Sequence, residues 1–401
     1  MSEHATRIDE GFQTILDLLP VYEQQIQDLN EIVLANLVLI SEIPAPTFEE
    51  NRRMEFLLER FSEYQLQNTS TDEVGNALGI LPGTEGARNI LVSAHMDTPF
   101  SAKIDHTLTI QPAYVSGPSV GDNSLGVATV ATIPLILEQL GIQLKSNLVL
   151  MGSARSLGKG NIEGIRFFLN NKELTINTGI SVEGVRLGRL SYSSLGVIRG
   201  EINCRVPEEY DWSRFGASGA IVNINDVINR IVEIPIPRRP RTTIVFNSVQ
   251  AGSSSNDTPT QGTLQFEVRS ESADTVRRVG NQIADIAAEV SSQSGAEVWV
   301  NVFARRDPGG IGFGHPLAAR ARDIMKALNV DPRISPSTTE LSAFIDRGIP
   351  AVTVGITDGE FTGEENERIE IVPIAKGIAQ LVGLIVAIDQ GYCDDEPGQL
   401  A

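Results

Sequence analysis

The stretch ILVSAHMDTPF, residues 90–100, closes an apolar run with His95 and Asp97, in a chain that holds only four histidines among 401 residues. Side chains two apart on a strand point to the same side, so this imidazole and this carboxylate face one space. Two more acids occupy comparable places: Asp122 in VGDNSLG, just ahead of an apolar segment, and Glu183 at the close of TGISVEG. Open α/β sheets gather their ligands at the carboxyl ends of strands. One imidazole and two carboxylates with a position left open make a catalytic-type zinc site, and the same donors suit manganese or cobalt. Asp97 would accept the second ring N–H of His95 and fix its tautomer. Each residue also has an ordinary reading. A strand-end histidine is often a hydrogen-bonding core or surface residue, Asp122 suits a helix N-cap, and Glu183 suits a solvated loop. Their coincidence at the ends of separate strands favours a metal.

The elements that must hold these residues alternate in type. FEENRRMEFLLERFSEY (48–64) has apolar positions at helical spacing, ILVSAHM and NLVLMGSA read as buried strands, and NSLGVATVATIPLILEQL reads as a packed helix. After Pro308 the pattern returns with helix HPLAARARDIMKAL, strand IPAVTVGI and helix IVPIAKGIAQLVGLIVAI. Strands alternating with helices imply a mostly parallel sheet covered on both faces. The middle differs: from about Leu190 the order is strand, helix, strand, strand, helix, strand, the split β-α-β-β-α-β unit of ferredoxin-like domains. The expected division is therefore 1–189 and 306–401 as one domain, with 190–305 inserted as a second.

Composition narrows the partners. A net charge of −19 argues against nucleic acid and anionic lipid, which select a basic face. The opening MSEHATRIDEGFQ lacks the apolar core of a signal peptide, and no run of some eighteen apolar residues stands out. Cys204 and Cys393 have no metal-binding spacing and read as free thiols. A cytoplasmic protein with no membrane span is the expectation.

These segments, taken together, resemble the di-zinc exopeptidases and deacylases that include peptidase T, aminoacylase and glutamate carboxypeptidase, over nearly the whole chain. SAHMDTP is similar to the first metal motif, VGDNSLGVATV to the segment of the metal-bridging aspartate, ISVEG to the third ligand segment, and RGIPAVTVGI with its acidic loop to the C-terminal metal segment. GSSSNDTPTQGTLQFEVRS resembles a lid strand whose Asn and Arg touch substrate, here Asn256 and Arg269. The resemblance implies a zinc-exopeptidase-like α/β domain with an inserted ferredoxin-like lid that carries a homodimer contact, and a substrate that is a small peptide or N-acyl amino acid. It implies His95, Asp122 and Glu183 as ligands of one metal and Asp97 as the orienting carboxylate.

The other half of such a two-metal centre departs from the pattern. The family's paired glutamates, general base then ligand, fall on Arg155–Ser156 or on Ser156–Leu157, and no Asp or Glu occurs between Glu138 and Glu163. The C-terminal histidine falls on Gly363 if Glu367 is the glutamate four residues beyond it, and the lid histidine falls on Tyr210, with Trp212 as the neighbouring aromatic. Arg155 either places a fixed positive charge at the vacated position or turns to solvent. Glu364 and Glu365 flank Gly363 as substitute oxygen donors, Glu340 falls where the family has an Asp in a substrate-side loop, and His106 and His315 read as surface residues. The expectation is one metal at most, zinc or manganese or cobalt, the second site lost, and little or no ordinary peptidase activity. The rival is an active one-metal peptidase or amidohydrolase with a shifted base.

Overall fold

The structure is a computed structural model that describes residues 3–171, 173–207, 219–252 and 258–395. Two compact units emerge, Met1–Ser193 with Gly310–Ala401, and Ser194–Gly309.

The larger unit is built on an eight-stranded sheet. Its spatial order is Gln67–Thr71, Ala77–Leu81, Asn147–Ser153, Asn89–His95, Thr178–Val185, Ala351–Thr357, Arg189–Ser191 and Arg333–Ile334. The four central strands run parallel. Every residue of Thr178–Val185 and Ala351–Thr357 is buried, as expected of strands with helices on both sides. Alternation along the strands divides the core. Ile90, Val92, Ala94, Leu148 and Leu150 join the helices Leu125–Gln139, Pro316–Ala327 and Ile374–Asp389. Leu91, Val149 and Met151 join Glu163–Asn170 and Leu341–Ile345 on the other face. The helix Glu3–Gln27, to which the sequence analysis assigned nothing, adds Phe12, Ile15, Leu19 and Ile26 to the first cluster.

Among the described residues, Val120–Gln139 is by length and composition apolar enough to cross a bilayer, but its first residues form the kinked loop 120–124 and 89% of the apolar window is buried inside the fold. Its apolarity is that of a helix packed on every side, which composition alone does not distinguish from a span.

In the smaller unit four antiparallel strands lie in the order Thr242–Ala251, Gln261–Ser270, Gly196–Arg205, Glu297–Arg306. Ile224, Val227 and Ile231 of helix Ala220–Val232 and Val276, Val279 and Ile283 of helix Ala273–Ser294 pack on Ile198, Ile202, Leu264 and Phe266. This is the ferredoxin-like arrangement expected from the element order.

Candidate metal centre

His95 is the last residue of its strand and is buried. Its Nε2 lies 3.1 Å from Asp122 Oδ1, and its Nδ1 lies 3.1 Å from the Asp97 carbonyl and 3.3 Å from Asp97 Oδ1. Asp97 is in turn held on its other oxygen by the Leu157 N–H at 2.7 Å and the Thr47 hydroxyl at 2.8 Å. Asp97 is thus a fully buried carboxylate, itself clamped, against the nitrogen that does not face Asp122.

Asp122 sits in a tight loop, Val120–Ser124, entered through Ser119 at φ 54° and containing a cis peptide between Asp122 and Asn123. Asn123 fastens that loop to the sheet: its Nδ2 donates to Val182 O at 2.8 Å and its Oδ1 accepts from Gly184 N at 2.8 Å. These are the two backbone groups on either side of Glu183, so one amide sets the spacing between Asp122 and Glu183. The approach needs glycine on both partners. A Cβ on Gly184 would stand 2.2 Å from Gly121 O, and one on Gly121 would stand 2.3 Å from Val185 Cγ1.

Glu183 has the Arg189 guanidinium and the Thr339 hydroxyl each 3.5 Å from its Oε1. His95, Asp122 and Glu183 each offer one donor atom within 4.8 Å of the others, the one such group of three or more among the described residues. Two donors on one tetrahedral ion at ~2.1 Å stand roughly 3.4 Å apart, and the His95–Asp122 separation matches that closely. The donor set fits one divalent cation. Without it, burial works against a charge on His95, but the hydrogen bonds to Asp122 and Asp97 prevail and lift its pKa well above the usual value. A cation would compete with that proton.

Glu367 stands directly behind the centre. Its Oε2 accepts the Asp122 N–H at 3.3 Å, and the residue is wholly buried. Burial first, then the Asp122 carboxylate, push its pKa up to about 8.

The turn after strand Asn147–Ser153 is occupied differently from the expectations for Arg155. Its guanidinium lies 3.0 Å from Glu163 and 5.6 Å from the Phe48 ring centre, so it neither runs free into solvent nor joins the three-residue group. Ser156 is buried and donates to Glu340 Oε1 at 2.8 Å, and Ser153 donates to the same oxygen. Glu340 is buried; burial raises its pKa, offset in part by His95 and the two serines.

Other expectations part company with the fold. His106 is not a surface residue: it is buried, with Nε2 3.1 Å from Ser101 O. His315 is largely covered, its Nδ1 accepting from Leu317 N at 3.1 Å and its Nε2 3.1 Å from Asp395. His106 is held within its own loop, whereas His315 is also held by Asp395 from the C-terminal segment. Glu364 and Glu365 are exposed, and Gly363 has φ 85°. Arg269 is ion-paired with Glu267 inside its own unit, a carboxylate that Arg199 also takes at 2.5 Å. Asn256, Tyr210 and Trp212 lie outside the described residues. Asn123 and Arg189 were missed in the sequence. An Asn directly after the loop aspartate was a visible signal for the first; nothing local marked the second.

Residues 213–294 match the family model of the M20 peptidase dimerisation domain. The chain has the fold of the M20 peptidases. It is similar to the PepT aminopeptidase of Bacillus cereus, with 17% identity over 89% of this chain and 98% of that one and a TM-score of 0.68. A di-peptidase of Saccharomyces cerevisiae gives 13% identity, 93% and 98% coverage and a TM-score of 0.76. A dinuclear metal-binding M20 peptidase of Bacillus subtilis gives 15% identity, 91% and 99% coverage and a TM-score of 0.62. No curated protein matches the sequence. The M20 fold and its dimerisation-domain insert are thus the architecture on which the His95, Asp122, Glu183 group stands.

Proposed function

We propose that the chain is an M20-fold protein with a one-metal centre, holding a single divalent cation through His95, Asp122 and Glu183, with Asp97 orienting the imidazole. The ion is zinc, with manganese or cobalt as chemical substitutes. The ligands are small peptides or N-acyl amino acids, in keeping with the peptidase names of the similar structures. A homodimer through the inserted domain follows from the dimerisation-domain match, and a cytoplasmic setting accords with two free, buried cysteines. When bound, the cation supplies a Lewis acid for a substrate carbonyl. His95, Asp122 and Glu183 fix its place, and Asp97 holds the ring proton on Nδ1.

One observation carries the reading: three donors converge, while 155–157 present Arg, Ser and Leu where a two-metal peptidase of this kind has its paired glutamates. Ordinary two-metal peptidase activity is therefore lost. For Arg269, sharing Glu267 with Arg199 leaves one positive charge unmatched by that carboxylate, which suits recognition of a substrate carboxylate; Asn256 and Tyr210 are its proposed companions. Metal analysis of freshly purified protein tests the central point. One ion per chain is expected, and two tightly held ions would overturn it.

The second reading, slow hydrolysis by a relocated base, draws no support from Glu364 or Glu365, which are exposed on their loop. A different carboxylate favours it.

A further inference from the structure

Glu340 is a buried glutamate that no cation partners among the described residues. Among the described residues its side-chain hydrogen bonds both come from serine hydroxyls, Ser153 and Ser156, and both end on Oε1. Leaving a carboxylate in the interior on two neutral hydroxyls is costly unless a positive centre lies close by. One does. Ser153 is the residue paired with His95 in the parallel register of the two central strands, and Thr339, next to Glu340, reaches Glu183. By strand alternation His95, Ser153 and Glu183 share the sheet face of Leu91, Val149 and Met151, and the helix Leu341–Ile345 packs on that same face. Ser156, in the turn after strand Asn147–Ser153, brings its hydroxyl to the same Glu340 oxygen and is itself buried.

We propose that Glu340 is the proton acceptor of this centre, in a hydrolysis of small amides that rests on the one-metal reading. The two serines hold Oε1, which aims the carboxylate and leaves Oε2 clear of both. Oε2 takes a proton from the attacking water as its oxygen bonds to the amide carbonyl carbon. The C–N bond then breaks, and the same proton passes from Glu340 to the departing nitrogen. Water and amide become a carboxylic acid and an amine, with no other reactant needed. Proton transfer of this kind is worth ~10²–10⁴-fold in rate.

The test compares the full-length protein with Glu340→Gln and Glu340→Asp, using a panel of dipeptides and N-acetyl amino acids with zinc, manganese or cobalt. Three readouts run in parallel: metal bound per chain, thermal shift with the same ligands, and turnover. Glu340→Gln is expected to keep one ion and the ligand-induced shift, and to lose at least ~100-fold in rate; Glu340→Asp, which retains the carboxylate, recovers part of it. With cobalt bound, the pH dependence of the visible absorption is expected to change between wild type and Glu340→Gln, a signal independent of turnover. An unchanged rate in Glu340→Gln would make the residue a structural tie. Loss of the ion in that variant would make it a ligand instead. Wild-type protein that holds one ion yet turns over nothing refutes the base assignment and leaves the one-metal reading standing, whereas failure to bind any ion removes both.

Discussion

The two sides of the centre are built by different means. His95, Asp122 and Glu183 come from segments tied mainly through backbone-directed bonds: Asn123 spans the strand around Glu183 and the Leu157 N–H clamps Asp97, with the Thr47 hydroxyl the one side-chain addition. The turn at 155–157 has no acid of its own and meets a carboxylate delivered from residue 340 through side-chain hydroxyls. Backbone bonds fix a position whatever the neighbouring side chains are, while hydroxyl–carboxylate bonds depend on particular residues at both ends. A fold can therefore keep the first side while the second changes.

That contrast can be pressed from several directions. Glu367 lies on the first side, and its pKa near 8 exceeds that of an unfolded glutamate. The native state then holds a proton that unfolding releases between pH ~4.5 and ~8, so stability falls as pH rises through that window. Glu367→Gln should remove the Glu367 share of that slope in metal-free protein and leave the share that His95 contributes. The wild-type-minus-variant stability is expected to change by on the order of 3 kcal/mol between pH 5 and 8.5 in denaturant titrations; parallel pH curves would remove Glu367 from the site's electrostatics.

Asn123→Ala strips Val182 O and Gly184 N of their partner. Leaving buried backbone groups unpaired costs ~1–3 kcal/mol each, so a loss of about 2–4 kcal/mol in chemical unfolding is expected, with weakened metal binding alongside. Normal stability would mean that water or backbone closes the gap.

Asp97→Asn keeps the shape but weakens the hold on the His95 tautomer. A fall of about 10–100-fold in metal affinity is expected by calorimetry, and an unaltered affinity would disconnect Asp97 from the centre. Arg155→Ala marks the small end of the scale. Its guanidinium bonds a half-exposed Glu163, so stability should change by less than about 1 kcal/mol and metal affinity hardly at all; a large gain in affinity would show Arg155 repelling the cation after all.

The strands and the acidic and imidazole side chains at their ends were legible because each is local. ILVSAHMD shows both its apolar run and its terminal His and Asp within eight residues, and the split β-α-β-β-α-β order of the inserted unit is written in periodicity alone. What stayed hidden depends on contacts between distant segments. Glu340 meets Ser153 across 187 positions, and Asn123 reaches Gly184 across 61; neither separation leaves a periodic trace. Arg155 turned to Glu163 and Phe48 because the left-handed residue at φ 54° redirects its side chain, a backbone choice that the residue type does not announce. His106 was misplaced for a similar reason. A polar loop around it resembles surface, yet the loop folds the ring inward against Ser101.

Crystals of the full chain soaked with zinc and measured at the zinc absorption edge interrogate the central claim most directly. The account predicts one anomalous peak, lying among His95 Nε2, the Asp122 carboxylate and Glu183. Two peaks sharing Asp122, or a single peak lodged between Ser156 and Glu340, would contradict it.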